Sequence, residues 1–242
     1  MTGFLSEAFV SFQGEGLYVG RRHLFLRFAG CPLRCRYCDT PGSLVATRDF
    51  VVRGVDQETS RPNPLTVADI AWAVDSLTRE GPVDGVALTG GEPLAQPEFL
   101  LEILRLPGVP APRLLETSGT LPAHLEQVID LVDVVSMDLK LPSNTGETSF
   151  WDEHRRFLEV AGSKAYVKIL VDAATDLAEL EKAVDLVGET SPPTPVFLQP
   201  ITLRDGGIGI GAGDLSRMYA VARGRLENVR VVPQTHKMMG IP

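Results

Sequence analysis

Two periods of apolar spacing alternate along the chain. Residues 24–28, 83–88, 113–116, 133–138, 165–171, 195–199 and 229–232 are short runs dominated by Val, Leu, Ile and Phe, of strand length. Between them, 66–78, 97–105, 122–130, 149–161, 176–187 and 213–222 carry apolar residues at helical spacing. Such alternation predicts a parallel sheet with crossover helices, an α/β fold. The first helix has the clearest ends. Thr66 is an N-cap with Asp69 three residues on, and Gly81-Pro82 stops it. Residues 2–10 alternate weakly. Residues 41–64, rich in Gly, Pro, Thr and charge, predict a surface insertion with a short strand over 50–53. The glycines from Gly206 to Gly211 lie outside a first strand–helix crossover, so they predict a flexible loop rather than a dinucleotide fingerprint. With no internal repeat, residues 1–242 are expected to form a single domain.

Polar clusters fall where the strands end: 89–92, 116–118, 136–140 and Gln199. Sheets of this class place their sites at that edge. Arg27 interrupts an apolar run and needs an anionic partner. A substrate carboxylate would suit its bidentate fork, and a structural salt bridge would serve equally. Gln13-Gly14-Glu15-Gly16 predicts a turn that brings backbone and a carboxylate close to a ligand, or simply a hairpin connection. In the plain structural readings Lys140 is a surface charge and Glu116 a helix cap. A hydrophobic content of 44% supports a substantial core, and a net charge of −8 argues against a nucleic-acid partner. Without a bilayer-length apolar run or a signal peptide, the expectation is a cytoplasmic protein that does not enter the membrane.

The chemistry is concentrated in Cys31-Pro-Leu-Arg-Cys35-Arg-Tyr-Cys38-Asp-Thr40, which holds every cysteine of the chain. Three thiolates in C-x3-C-x2-C spacing suit a soft-metal centre. A cubane iron–sulfur cluster takes four cysteines as a rule, so three leave one iron open to another ligand. A Cys3His zinc site would need His23, His124, His154 or His236, none at a finger-like spacing. An odd number of cysteines argues against a disulfide framework. Asp39 and Thr40 supply hard oxygens that suit Mg2+, or a loop cap.

C-x3-C-x2-C with Tyr37 before the last cysteine resembles the signature of radical S-adenosylmethionine enzymes. Gly90-Gly91-Glu92-Pro93, about fifty residues on, resembles that family's site for the methionyl amine. Within it, Gln13-Gly14-Glu15-Gly16, Arg27, Cys38-Asp39-Thr40 and the Gln-x-His-Lys tail ending at Pro242 make the chain similar to the 7-carboxy-7-deazaguanine synthase family over about residues 9–242. That resemblance implies a partial TIM-like β/α barrel with fewer outer helices than a full one. It implies conversion of 6-carboxy-5,6,7,8-tetrahydropterin to 7-carboxy-7-deazaguanine with loss of ammonia, begun by a deoxyadenosyl radical that removes the C6 hydrogen and later returns one. No side chain is assigned as catalytic. Cys31, Cys35 and Cys38 would hold a [4Fe–4S] cluster. Tyr37, Asp39, Gly91, Glu92, Ser136, Asp138, Lys140 and Gln199 would line the S-adenosylmethionine site. Gln13, Gly14, Glu15, Arg27, Thr89, His236 and the terminal Pro242 would contact the pterin, and Thr40 would bind Mg2+. Residues 233–242 would form a lid. A homodimer and an electron donor such as flavodoxin or ferredoxin are further implications of the family.

Two other readings compete. A glycyl-radical-enzyme activase would share both motifs but need an open barrel mouth. A non-catalytic iron–sulfur or zinc protein would need four protein ligands and no site for S-adenosylmethionine.

Overall fold

The computed structural model describes residues 1–203 and 205–242. Strands β1 (Thr2–Gly3), β2 (Leu5–Phe12), β3 (Arg22–Phe28), β4 (Asp49–Arg53), β5 (Glu58–Pro62) and β6 (Leu65–Thr66) precede helix α1 (Val67–Thr78). Strand and helix then alternate through β7 (Val86–Gly90), α2 (Pro97–Leu104), β8 (Arg113–Thr117), α3 (Pro122–Val128) and β9 (Val134–Asp138). A single turn, α4 (Pro142–Thr145), leads to α5 (Trp151–Ala161), β10 (Ala165–Val171), α6 (Leu177–Thr190), β11 (Val196–Pro200), α7 (Ala212–Arg223), β12 (Val229–Val231) and α8 (Thr235–Met239). α1 begins with the expected capping box: Asp69 N–H donates to Thr66 Oγ1 and Thr66 N–H to Asp69 Oδ2 at 2.9 Å.

The main sheet has ten strands in the order β12-β11-β10-β9-β8-β7-β3-β2-β4-β5. From β3 to β12 every neighbour is parallel, while β2 is antiparallel to β3. The stretch 41–64 holds the expected short strand, as β4, but is more than a surface insertion. It contributes β4 and β5 and extends the sheet, burying Phe50 and Val52. Its polar composition belongs to β5, whose residues are mostly exposed.

The sheet has two faces with different chemistry. Leu26, Leu88, Leu115, Val135, Ile169 and Leu198 are buried outward, under the helices. Fully burying such a side chain contributes about 1.5–3 kcal/mol. On the other face Phe9, Phe25, Ala87, Leu114, Tyr166 and Phe197 form a separate cluster. β3 and β11 lie at opposite sides of the parallel run, so Phe25 and Phe197 share a cluster because the sheet curls into a partial barrel. Successive inward residues are two apart, and the inward row changes character along each strand. Phe25 is followed by Arg27, Ala87 by Thr89, Leu114 by Glu116, Tyr166 by Lys168 and Phe197 by Gln199. An apolar floor thus lies beneath a polar layer at the strands' C-terminal ends. Among the described residues no helix is long and apolar enough to cross a membrane.

Candidate active site

A cavity of about 470 Å³ opens above the floor. All the candidate residues named from the sequence line it, except Glu92 and Ser136. One wall is the loop after β3, where Cys31, Cys35 and Cys38 are free thiols of intermediate burial. Backbone bonds fix the loop's course: Gly30 N–H donates to Ser43 O at 2.8 Å, Glu92 N–H to Gly30 O at 2.9 Å, and Arg36 N–H to Thr145 O at 2.9 Å. The short α4 therefore supports the cysteine loop from below. Burial pushes the Cys31 thiol up to about 11 and raises Cys35 as well. In the metal-free chain these thiols are protonated, and a metal centre would displace the protons. Among the described residues the three sulfurs are not gathered within 4.8 Å of one another. A tetrahedral zinc would draw them to about 3.8 Å, given Zn–S of about 2.3 Å.

The Gly-Gly-Glu-Pro turn touches this loop directly. A Cβ on Gly91 would lie 2.3 Å from Gly30 O and 2.5 Å from Ser43 O, both backbone atoms. Gly91→Ala is therefore expected to lower stability by about 1–3 kcal/mol and to push the cysteine loop outward. Thermal unfolding and the iron content after reconstitution check this. Glu92 stands behind the wall. Its carboxylate accepts from Leu94 N–H (3.0 Å), Thr117 Oγ1 (2.8 Å), Ser118 N–H (2.8 Å) and Ser118 Oγ (2.6 Å), which ties the β7 turn to the end of β8. Ser136 is likewise buried below the cavity.

A polar chain runs around the remaining walls. Lys140 Nζ lies 2.9 Å from Asp138 Oδ2 and 5.3 Å from the Tyr37 ring centre. Lys168 Nζ lies 3.1 Å from Asp138 Oδ1 and 2.5 Å from Glu15 Oε2. Gln234 Nε2 then joins Glu15 to Asp39, and Lys237 pairs with Asp39 at 3.3 Å. Burial would raise the Asp138 carboxyl, but the two lysines outweigh it and hold it below the ordinary range. Burial would lower both lysines, yet Asp138 keeps them well above their ordinary value. Lys140 is thus an interior group, not a surface charge. Glu116 is not a helix cap either: it accepts from Gln13 Nε2 at 2.7 Å.

Arg27 makes the structural salt bridge and also lines the cavity. Its Nε donates to Glu7 Oε1 at 2.7 Å, while the side chain still reaches the cavity. The Gln13–Gly16 segment is indeed the connection between antiparallel strands. It also crosses the inside of the curl, where a Cβ on Gly16 would lie 2.4 Å from the Tyr166 ring. Glu15, Asp39 and His236 bring ligand atoms within 4.8 Å of one another, beside Thr40 on the cavity wall. Both carboxylates there already face lysines or Gln234. Gln199 Oε1 is buried without a partner and is free to accept from a ligand.

Three residues of this chain were not among the sequence candidates: Lys168, Glu116 as a cavity residue, and Gln234. The inward row would have found the first two, since each lies two residues after a floor residue. Gln234 stands in the Gln-x-His-Lys tail, but nothing local marks its partners.

His154, on α5, packs behind Ser118 and Lys140, with Nε2 3.3 Å from Ser118 O. Burial lowers its pKa to about 4. A folded-state value below the unfolded one means the contribution is complete above about pH 6.5 and is lost as pH falls toward 4. By about pH 4.5 the wild type is expected to lose about 2–3 kcal/mol that a His154→Gln variant does not. Urea unfolding of both proteins at the two pH values measures the difference.

Residues 26–186 match the Radical SAM superfamily. The curled parallel sheet, the three-cysteine loop and this match define a radical S-adenosylmethionine enzyme. The chain is 37% identical to the 7-carboxy-7-deazaguanine synthase of Geobacter sulfurreducens, over 98% of this chain and 96% of the relative. It is 36% identical to that of Methanopyrus kandleri, over 96% and 92%. Its fold is similar to the crystal structure of QueE from Escherichia coli, with a TM-score of 0.60, 22% identity and coverage of 97% of this chain and 94% of the other. A radical SAM methyltransferase from Sphaerobacter thermophilus follows, at a TM-score of 0.59 and 15% identity, covering 88% of this chain and 70% of that one. The chain belongs to the 7-carboxy-7-deazaguanine synthase family. The family's [4Fe–4S] cluster and S-adenosylmethionine fit the residues present: three free thiols for the cluster, and the unmet Gln199 acceptor for the nucleoside-bearing ligand.

Proposed function

We propose that the chain converts 6-carboxy-5,6,7,8-tetrahydropterin to 7-carboxy-7-deazaguanine, releasing ammonia, as a step of deazapurine and queuosine synthesis. The observation that carries the reading is a single cavity lined both by the three thiols and by Gln13, Glu15, Arg27 and His236. Its volume of about 470 Å³ lies within the usual range for small-molecule sites. When bound, the cluster and S-adenosylmethionine supply the radical that starts the ring contraction.

In this reading Cys31, Cys35 and Cys38 hold the cluster and leave one iron open. Tyr37, Asp39, Gly91, Asp138, Lys140 and Gln199 face S-adenosylmethionine, while Glu92 and Ser136 support that wall from behind. Gln13, the Gly14 backbone and Glu15 meet the pterin's polar edge. Arg27, already anchored by Glu7, offers its outer nitrogens to the substrate carboxylate. Thr89 and His236 flank the ring, and Pro242 closes the far side. Thr40 supplies a hard oxygen to Mg2+, which would orient the substrate carboxylate. Residues 1–242 act as one domain, with 31–40 as cluster loop and 233–242 as a lid that excludes water. A small electron-transfer protein such as flavodoxin or ferredoxin would deliver the electron, to a cytoplasmic homodimer. The test is anaerobic incubation of the reconstituted protein with S-adenosylmethionine, a strong reductant, Mg2+ and the pterin. The expected product by mass spectrometry is 7-carboxy-7-deazaguanine, and an unchanged pterin beside cleaved S-adenosylmethionine would overturn the reading.

A further inference from the structure

The helix of the C-terminal tail reaches the cavity without a buried apolar residue of its own. α8 spans five residues and buries none of them; Met238 and Met239 are 73% and 52% exposed. A helix this short does not sustain itself. Polar contacts therefore dock it, and the central ones come from one side chain. Gln234 is 5% exposed. Its Nε2 donates to Glu15 Oε1 at 2.9 Å and to Asp39 Oδ2 at 3.0 Å, and its Oε1 accepts from Thr202 N–H at 3.4 Å. Beside it, Thr235 N–H and Oγ1 both donate to Gly14 O, at 3.0 and 3.1 Å. Tail and turn are in direct contact: a Cβ on Gly14 would lie 2.2 Å from His236 Nδ1.

The amide is the right group for its place. Two carboxylates aimed at one atom repel unless that atom carries two hydrogens to share between them. A primary amide nitrogen does so without adding charge. Glu15 belongs to the turn after β2, Asp39 to the cysteine loop and Gln234 to the tail, so one side chain sets the spacing of three segments. The second Glu15 oxygen is held by Lys168.

We propose that Gln234 is a positioning residue. Its amide fixes Glu15 and Asp39 relative to each other and, by the same bonds, latches the tail over the cavity. What the two carboxylates are positioned for rests on the pterin reading; the latch does not.

The test uses the full-length, anaerobically reconstituted protein and hydrogen exchange read by mass spectrometry. Gln234→Glu would set a third carboxylate against the other two. The tail amides, including Thr235 and Ile241, are expected to exchange at least about tenfold faster, the factor for one charged hydrogen bond. Exchange in β10 stays at the wild-type rate. Gln234→Ala moves the tail in the same direction by less, and decides the matter alone if the glutamate variant does not fold. The pterin KM rises about tenfold or more. Wild-type tail exchange in both variants, equal acceleration in β10, or a pterin KM unmoved by a loosened tail would each overturn the proposal. Exchange is read without turnover, so the latch is decided even where the pterin proves not to be the substrate.

Discussion

Cys35→Ala is expected to abolish the iron–sulfur centre and reduce S-adenosylmethionine cleavage to background. The chain holds three cysteines and no fourth. Four irons with three protein thiolates are already at the minimum that leaves a single open position. Removing one thiolate leaves two open irons and no other thiol in the chain to replace it. His124 is engaged through Nδ1 with Leu94 O at 2.6 Å, and His23 and His154 are fully buried. Cys35 lies in a loop held by backbone bonds, so the polypeptide itself should lose less than about 1 kcal/mol. Iron and sulfide content, visible absorbance and deoxyadenosine release measure the effect. A variant that keeps its cluster and its activity would contradict the ligand assignment.

Asp138→Asn is expected to be the most destabilising single change in the polar layer, at about 3–5 kcal/mol. Asp138 is the carboxylate partner of Lys140 and one of two for Lys168, whose side chains are 10% and 6% exposed. The asparagine leaves the Lys140 ammonium buried against a neutral amide and Lys168 with Glu15 as its remaining carboxylate. In a domain of this size the loss corresponds to a fall in Tm of about 10 °C. Combining it with Lys140→Met, which removes the stranded charge, should recover part of the stability. The pH dependence has a definite sign. Asp138 titrates below its ordinary value in the fold, so its contribution is complete above about pH 4 and is lost as pH falls through the folded-state value. The Asp138→Asn protein should lack that acid-side loss. Equal acid sensitivity in both proteins would place the stabilising charge elsewhere.

The crossover helices and parallel strands were legible because each strand is a dense apolar run and each helix a periodic one. The insertion over 41–64 was harder to read. Its strand β4 is held by pairing to β2, which no local pattern announces, and β5, paired to β4 alone, is polar because it is an exposed edge. The thiols were legible from spacing alone. Much of the polar layer is written as a simple rule, an apolar inward residue followed two positions later by a polar one. That rule reaches Lys168 after Tyr166 and Gln199 after Phe197 with equal ease. Partners were not legible. Gln234 meets Glu15 across 219 positions and Asp39 across 195, and only the curl of the sheet brings them together. Glu92 shows the converse. Its motif is plain in the sequence, yet its carboxylate is spent on Thr117 and Ser118 behind the wall.

In the proposed reaction one cavity holds the pterin C6 against the carbon of the cofactor that takes its hydrogen. The direct measurement is the fate of deuterium from C6-labelled 6-carboxytetrahydropterin under anaerobic turnover. Deuterium is expected in the S-adenosylmethionine recovered after the reaction, with product formed in excess of cofactor consumed. Pterin conversion with the recovered cofactor unlabelled and the deuterium in solvent would contradict it.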